Sequence, residues 1–363
     1  MKKNKREHQT ARATVFLLLM IYIIMSFSTW KNVPVSEIPR PAVKTVLNGD
    51  WEEAVENCLL KHIGFHDALF HLKSQTDLIM GEKMIQNVYI TEDRLLEKQF
   101  CPEKLSAELI NEFYQNDTVP TYLVLVPSAS EIYESSLPAN ALNANQKDMI
   151  KLVYADTANG IRCVDAYHIL TSLKDNYIYY RTDSHWTSYA AYYVYQSAIQ
   201  KMGFTPVSYQ RYVISHLSTE FRGDLYQKTL YDEIRPDVLD CYTYESGSQI
   251  RHVVACYQDG TKEKRKSLYD DSALVSDDMY RFYLGEPCEK LIIRTNLDNG
   301  KKLLLYKDDF ADCMIPFLIQ HYSEICVINL QQTGAAFQEL ARPSDYTQVM
   351  FLCSVMNWNE IFK

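Results

Sequence analysis

Tyr122-Leu-Val-Leu-Val-Pro-Ser-Ala-Ser-Glu131 decides the fold class. Its first five residues are apolar and rich in branched side chains, with no polar alternation. That suits a parallel strand covered on both faces. Ser128 with Glu131 three residues on matches a capping box, so the chain is expected to pass from strand directly into helix. A nucleophile reading of Ser128 or Ser130 is weaker, because no G-x-S-x-G elbow surrounds them.

The same alternation continues outward. Gln146 to Thr157 reads as a helix and Ile161 to Val164 as the next strand, ending at Asp165. Ser188 to Met202 is a helix stopped by Gly203, with Tyr192, Tyr195 and Ile199 on one core-facing stripe. A second unit follows, with Leu303–Tyr306 as strand, Ala311 to Tyr322 as helix and Ile325–Asn329 as strand, before a final strand from Gln348 to Val355. Between them, from about 204 to 299, short tyrosine-rich segments broken by Gly223, Gly247, Gly260 and Gly285 predict a largely β insertion. The fold class expected is α/β: a layered fold with a mainly parallel sheet plus that β-rich insertion.

The N-terminus carries a different signal. Residues 1–12 hold a net charge of +4, while the whole chain of 363 residues carries −9. Ala13 to Trp30 follows without a charge and would be about 27 Å long as a helix, close to hydrocarbon thickness. The expectation is a transmembrane signal-anchor over 13–30 with a cytoplasmic N-terminus, a proline-bearing stalk over 31–50, and an extracytoplasmic domain over 51–363. A cleaved signal peptide is the competing reading, given Ser26 and Ser28. The acidic balance argues against nucleic acid as a partner.

Nine cysteines without a C-x-x-C pair fit neither a disulfide framework nor a zinc-ligand pattern. Most are expected to be small buried residues, with one or two bridges left open. His62, His66 and His71 have a spacing that could hold zinc, but no glutamate or cysteine completes a site. Lys262-Glu-Lys-Arg-Lys266 reads as a solvated basic turn.

The densest polar cluster is Arg181-Thr-Asp-Ser-His-Trp-Thr187. In an extended stretch Asp183 and His185 face the same way, so the carboxylate can orient the imidazole as it does in acyl-transfer triads. A structural cap or a metal pair explains the same spacing without catalysis.

Thr182 to Thr187 resembles the signature of the DHHW family, whose fold is similar to SGNH hydrolases and alginate O-acetyltransferase-type proteins. Asn87 to Ile90, Val126 to Tyr133, Phe221-Arg-Gly-Asp-Leu-Tyr226 and Leu303 to Leu330 resemble further blocks in the same order. Ser184 stands where the family name has its first His. The resemblance implies acyl, chiefly acetyl, chemistry on a cell-envelope polysaccharide, beside a membrane-bound O-acyltransferase, with no cofactor and no metal. Its catalytic set would be Asp183, His185 and a Ser in a Lys-Asp-Ser-aromatic-Ala-Asn block.

Here that block reads Lys307-Asp-Asp-Phe-Ala-Asp312, which puts Asp309 at the nucleophile position. Asp312 replaces Asn, and Asn329 with Gln331 replace an Asp and an Arg. A carboxylate there would favour imidazolium at His185 over a free base, and an Asp at a helix start is also a plain N-cap. Two functions are therefore expected: a membrane-anchored SGNH-like domain in polysaccharide acetylation whose Ser-based turnover is in question, or a non-enzymatic glycan- or partner-binding scaffold in the same complex.

Overall fold

The structure, a computed structural model, describes residues 66–102, 106–115 and 119–361, together with Met20 and Ile24. The expected tail, anchor and stalk, and His62, lie outside the described residues. Among the described residues no helix is long and apolar enough to cross a membrane. The chain divides into two compact units, one ending at Glu82 and one from Lys83 to Lys363. In the first, His66–Ile79 is helical.

The second unit is built on an eight-stranded sheet. Its strands are β1 (Thr121–Val126), β2 (Arg162–Val164), β3 (Ile250–Cys256), β4 (Lys262–Arg265), β5 (Lys290–Thr295), β6 (Lys302–Lys307), β7 (Glu324–Asn329) and β8 (Gln348–Ser354). Their order is β2-β1-β8-β6-β7-β5-β3-β4. The first five run parallel to their neighbours. The last three are added antiparallel. The sheet is thus mixed rather than mainly parallel, because the stretch read as a separate insertion supplies three of its strands. The rest of that stretch forms a two-stranded ribbon, Val213–Phe221 with Asp237–Thr243. The basic run is the edge strand β4, where lysines deter pairing with another chain.

Alternate residues of the central strands feed two cores, which is why they read as unbroken apolar runs. Tyr122, Val124, Leu303, Leu305, Met350 and Leu352 face the helix α2 (Ser188–Lys201) and the Phe310–Tyr322 segment. Leu123, Leu125, Leu304, Tyr306, Val349 and Phe351 face α1 (Gln146–Asp156) and Trp358. Gly203 ends α2 at φ +89, the left-handed conformation its position requires.

Two local expectations change. Ser128 makes no side-chain cap bond. Instead Glu131 reaches forward to accept from the backbone N–H groups of Gln146 and Lys147, so the acid caps α1 together with Asn145. The helix expected over Ala311–Tyr322 is a 3-10 turn, Asp309–Met314, followed by the single helical turn Ile315–Leu318. Pro316 cannot donate a backbone hydrogen bond and sits at the start of that turn, where none is needed.

Asp237 pins the segment that leads into α2. Fully buried, it accepts from Tyr177 Oη, the backbone N–H groups of Arg181 and Thr182, and Thr182 Oγ1, at 2.5–2.8 Å. Removing it takes the acceptor from four donors, two of them on buried Thr182. Asp237→Ala is expected to lower unfolding stability by about 3–5 kcal/mol in urea titration. A loss under about 1 kcal/mol, the range of a surface change, would contradict this role.

Candidate functional site

The carboxyl ends of β1, β6, β7 and β8 open into one cleft of about 150 Å³, lined by Ser128, Ser130, Asp309, Gln331, Ser354 and Asn357, with Ser184 and His185 from the loop ahead of α2. Parallel sheets place ligands there because the loops following the strands converge on that edge. A buried bond fastens the Asp183–His185 loop to the end of β6: the Trp186 indole N–H donates to the Phe310 carbonyl at 2.6 Å, both residues buried. Sequence neighbours of the two candidate groups thus hold them together across 124 positions.

Asp183 is 2% exposed, and its Oδ1 accepts from both the backbone N–H and Nδ1 of His185, at 2.8 and 2.7 Å. Its Oδ2 accepts from the Asp224 N–H at 3.2 Å. Asp224 in turn accepts from the Ser184 N–H at 2.7 Å. Gly223 makes this approach possible, since a Cβ there would fall 2.0 Å from Asp183 Oδ2. The His185 ring stacks on Tyr280, with centroids 3.9 Å apart and planes 11° from parallel. An imidazolium gains from such an aromatic face. Nothing in the sequence around Tyr280 signalled this contact.

The other imidazole nitrogen meets Asp309: Nε2 lies 3.4 Å from Oδ2. Asp309 is not the N-cap. Asp308 is, accepting from the Phe310 N–H at 3.1 Å and, through its other oxygen, from the Ser354 N–H and Asn357 Nδ2. Asp309 is thereby left to face His185 and the cleft. Gln331 grips it twice, its Oε1 accepting from the Asp309 N–H at 3.2 Å and its Nε2 donating to Oδ2 at 3.4 Å. In serine hydrolases a backbone N–H next to the attacking atom stabilises the oxyanion; here the amide at this position already has a partner.

Electrostatics follow from this geometry. Burial penalises the His185 charge, but the carboxylates of Asp183 and Asp309 outweigh it and hold the pKa well above its usual 6.5. Burial raises Asp309, yet His185, Lys307 and Gln331 bring it down to about 2. Asp308, buried and beside the Asp309 charge, is pushed up to about 7. Lys307 pairs with Asp312 in the same buried cluster. The arrangement contains an orienting acid and an imidazolium, but where a serine triad places a hydroxyl it has a carboxylate that forms an ion pair.

Ser128 and Ser130 reach the cleft without reaching His185 among their hydrogen bonds. Their hydroxyls lie 2.9 Å apart, and Gln146 Nε2 donates to Ser128 Oγ at 2.6 Å. The eight described cysteines are all free thiols, and the described residues contain no His, Cys, Asp and Glu grouping suited to a metal.

A family model described as DHHW protein matches residues 87–328. Three solved structures are similar. A DHHW family protein from Eubacterium siraeum is 22% identical, with TM-score 0.64, 75% of this chain and 91% of that chain covered. Bacillus cereus PatB1 is 19% identical, with TM-score 0.61 and coverages of 76% and 98%, and is also known with a sulfonyl adduct. The O-acetyltransferase domain of Pseudomonas putida AlgJ is a looser likeness, 13% identical with TM-score 0.44, and covers 75% of this chain and 92% of that one. No curated protein matches the chain.

Two outcomes test the site. Gly223→Ala is expected to displace the Asp183 carboxylate and cost about 1–3 kcal/mol of stability; an unchanged unfolding midpoint would show that the contact is not needed. The pH dependence has a definite sign. His185, raised above 6.5, contributes fully below that value and loses its contribution as pH rises through the folded pKa. Asp309 contributes above its usual 3.8 and loses its share as pH falls toward about 2. Asp309→Asn should move the alkaline loss of stability to lower pH in urea titrations across the range. An unshifted profile would mean that Asp309 does not hold the proton.

Proposed function

The chain belongs to the DHHW family, and from that premise we propose that it serves the acetylation of a cell-envelope polysaccharide by binding the glycan rather than by transferring acyl groups through a serine. One observation carries this reading: both nitrogens of His185 are committed to carboxylates, Asp183 on one side and Asp309 on the other. A general base must have a free lone pair on the nitrogen facing the nucleophile. An imidazolium held by two anions has none, and Asp309, attacking an ester, would yield only a hydrolysable mixed anhydride.

The cleft nevertheless keeps the surroundings of an acyl-transfer site, with an oriented His and several amide and hydroxyl groups at the sheet's carboxyl edge. This is the expected form of a domain that has lost turnover while keeping recognition. The apolar run over 13–30 would hold it at the outer face of the cell membrane, N-terminus inside, next to a membrane-bound O-acyltransferase. Such a placement gives the binding domain a high effective concentration near its partner.

Acetylesterase turnover of a chromogenic acetyl ester tests the proposal. The natural chain should show none above buffer. Asp309→Ser should gain on the order of 10²-fold, the contribution of a positioned general base, react with a sulfonyl fluoride at residue 309, and lose both properties on adding His185→Ala. Turnover by the natural chain that disappears in His185→Ala would overturn the binding reading in favour of catalysis.

A further inference from the structure

The side-chain amides that line the cleft are all turned the same way. They are Gln99, Gln331 and Asn357, and each commits its NH2 group to a carboxylate. Asn357 Nδ2 donates to Asp308 Oδ2 at 2.9 Å, Gln99 Nε2 to Glu97 Oε2 at 3.3 Å and Gln331 Nε2 to Asp309 Oδ2 at 3.4 Å. An ionised carboxylate can only accept, so these contacts fix which end of each amide is the nitrogen. The carbonyl oxygen of Gln331 is taken by the Asp309 N–H. Those of Asn357 and Gln99 meet no donor among the described residues. They are what these two side chains offer a ligand, and both can only accept.

Asn357 is the more firmly held of the two. Its anchor, Asp308, is fully buried, and the same Oδ2 also accepts from the Ser354 N–H at 2.7 Å. Ser354 lines the cleft as well, and its Oγ accepts from the Met356 N–H at 3.3 Å, which leaves the hydroxyl hydrogen to donate. One buried carboxylate oxygen therefore fixes both a residue that accepts through Oδ1 and a residue that donates through Oγ. A sugar hydroxyl answers both, donating to the amide oxygen and accepting from the serine. Gln99 is held by its own backbone: its N–H donates to Asn143 Oδ1 at 2.9 Å, and its carbonyl accepts from the Ala144 N–H at 3.0 Å. Neither amide has to be ordered when a ligand arrives.

An esterified hydroxyl has no hydrogen to donate. Placed against a fixed acceptor, it leaves that oxygen desolvated and unpaired, and a site arranged around hydroxyl donors rejects ligands that lack them strongly. We propose that the cleft binds the glycan in its unacetylated state and discriminates against the O-acetylated form, with Asn357 and Gln99 as the residues that read free hydroxyls. The proposal rests on the glycan-binding reading above and adds the chemical state of the ligand. It places the domain ahead of the acetylation step: it holds acceptor polysaccharide for the acyl transfer and releases the chain once its hydroxyls are esterified.

The experiment is calorimetric titration of the full-length chain at about pH 8, above the value of about 7 to which Asp308 is pushed, so that its carboxylate is ionised. The probes are cellotetraose, mannotetraose, chitotetraose and tetragalacturonate, each unmodified and chemically O-acetylated. At least one unmodified probe should bind, and its acetylated form should bind at least about tenfold more weakly. Asn357→Ala and Gln99→Ala should each weaken the unmodified probe about tenfold and narrow the ratio between the two forms, which a purely structural loss would not do. Gln99→Ala leaves the buried Asp308 contacts intact and keeps the test open if Asn357→Ala fails to fold. Equal or tighter binding of the acetylated form would overturn the proposal while leaving glycan binding standing, as would a ratio that neither variant changes. Binding of no probe in either form would sink the proposal and the glycan-binding reading together.

Discussion

His185 lies between two carboxylates, and the chemistry of the cleft follows from that one contact set. Asp183 fixes the ring through Nδ1 and through the backbone N–H of the same residue, so the imidazole cannot turn away. Asp309 then meets Nε2, the atom that would have to accept a proton in acyl transfer. The proton held there is stabilised from both sides and by the Tyr280 face. Neighbouring features support the same state. Asp308 takes over capping and frees Asp309, while Gln331 occupies the amide that an oxyanion would need.

Much of the fold was legible because the central strands are buried on both faces. Runs such as Tyr122 to Val126 and Leu303 to Tyr306 have no polar alternation, as strands covered on both faces require. The stretch that supplies the three antiparallel strands reads as largely β, as it is, but its place in the main sheet is not legible because β3 and β5 alternate buried with part-exposed residues and are separated by tyrosine-rich turns. Pairing partners 30 or more positions apart leave no local periodicity to read. The short turn after Asp309 was likewise overestimated as a helix, since an i, i+3, i+4 stripe arises equally when a 3-10 turn and one helical turn follow each other.

At the site, Asp183 and His185 were visible from their i, i+2 spacing, and Asp309 from its place in a recognisable block. The distance between the two segments was not, because it depends on Trp186 reaching the Phe310 carbonyl. Gln99 and Asn357 lie in stretches with no motif and line the cleft only through tertiary packing, and Tyr280 likewise reaches the His185 ring from a stretch with none. Which of two adjacent acids caps the turn was also beyond the sequence: Asp308 and Asp309 are chemically identical, and the backbone direction at the end of β6 decides.

The likeness to DHHW and PatB1 structures at 22% and 19% identity concerns architecture alone. The account therefore stands on the protonation of one ring. The direct measurement is the ¹⁵N chemical shifts of the His185 imidazole in the natural chain and in Asp309→Ser at about pH 8, above the ordinary imidazole range. The natural chain should show both nitrogens protonated, and the variant a neutral ring with a free Nε2. A neutral ring in the natural chain would contradict the account and return His185 to service as a base.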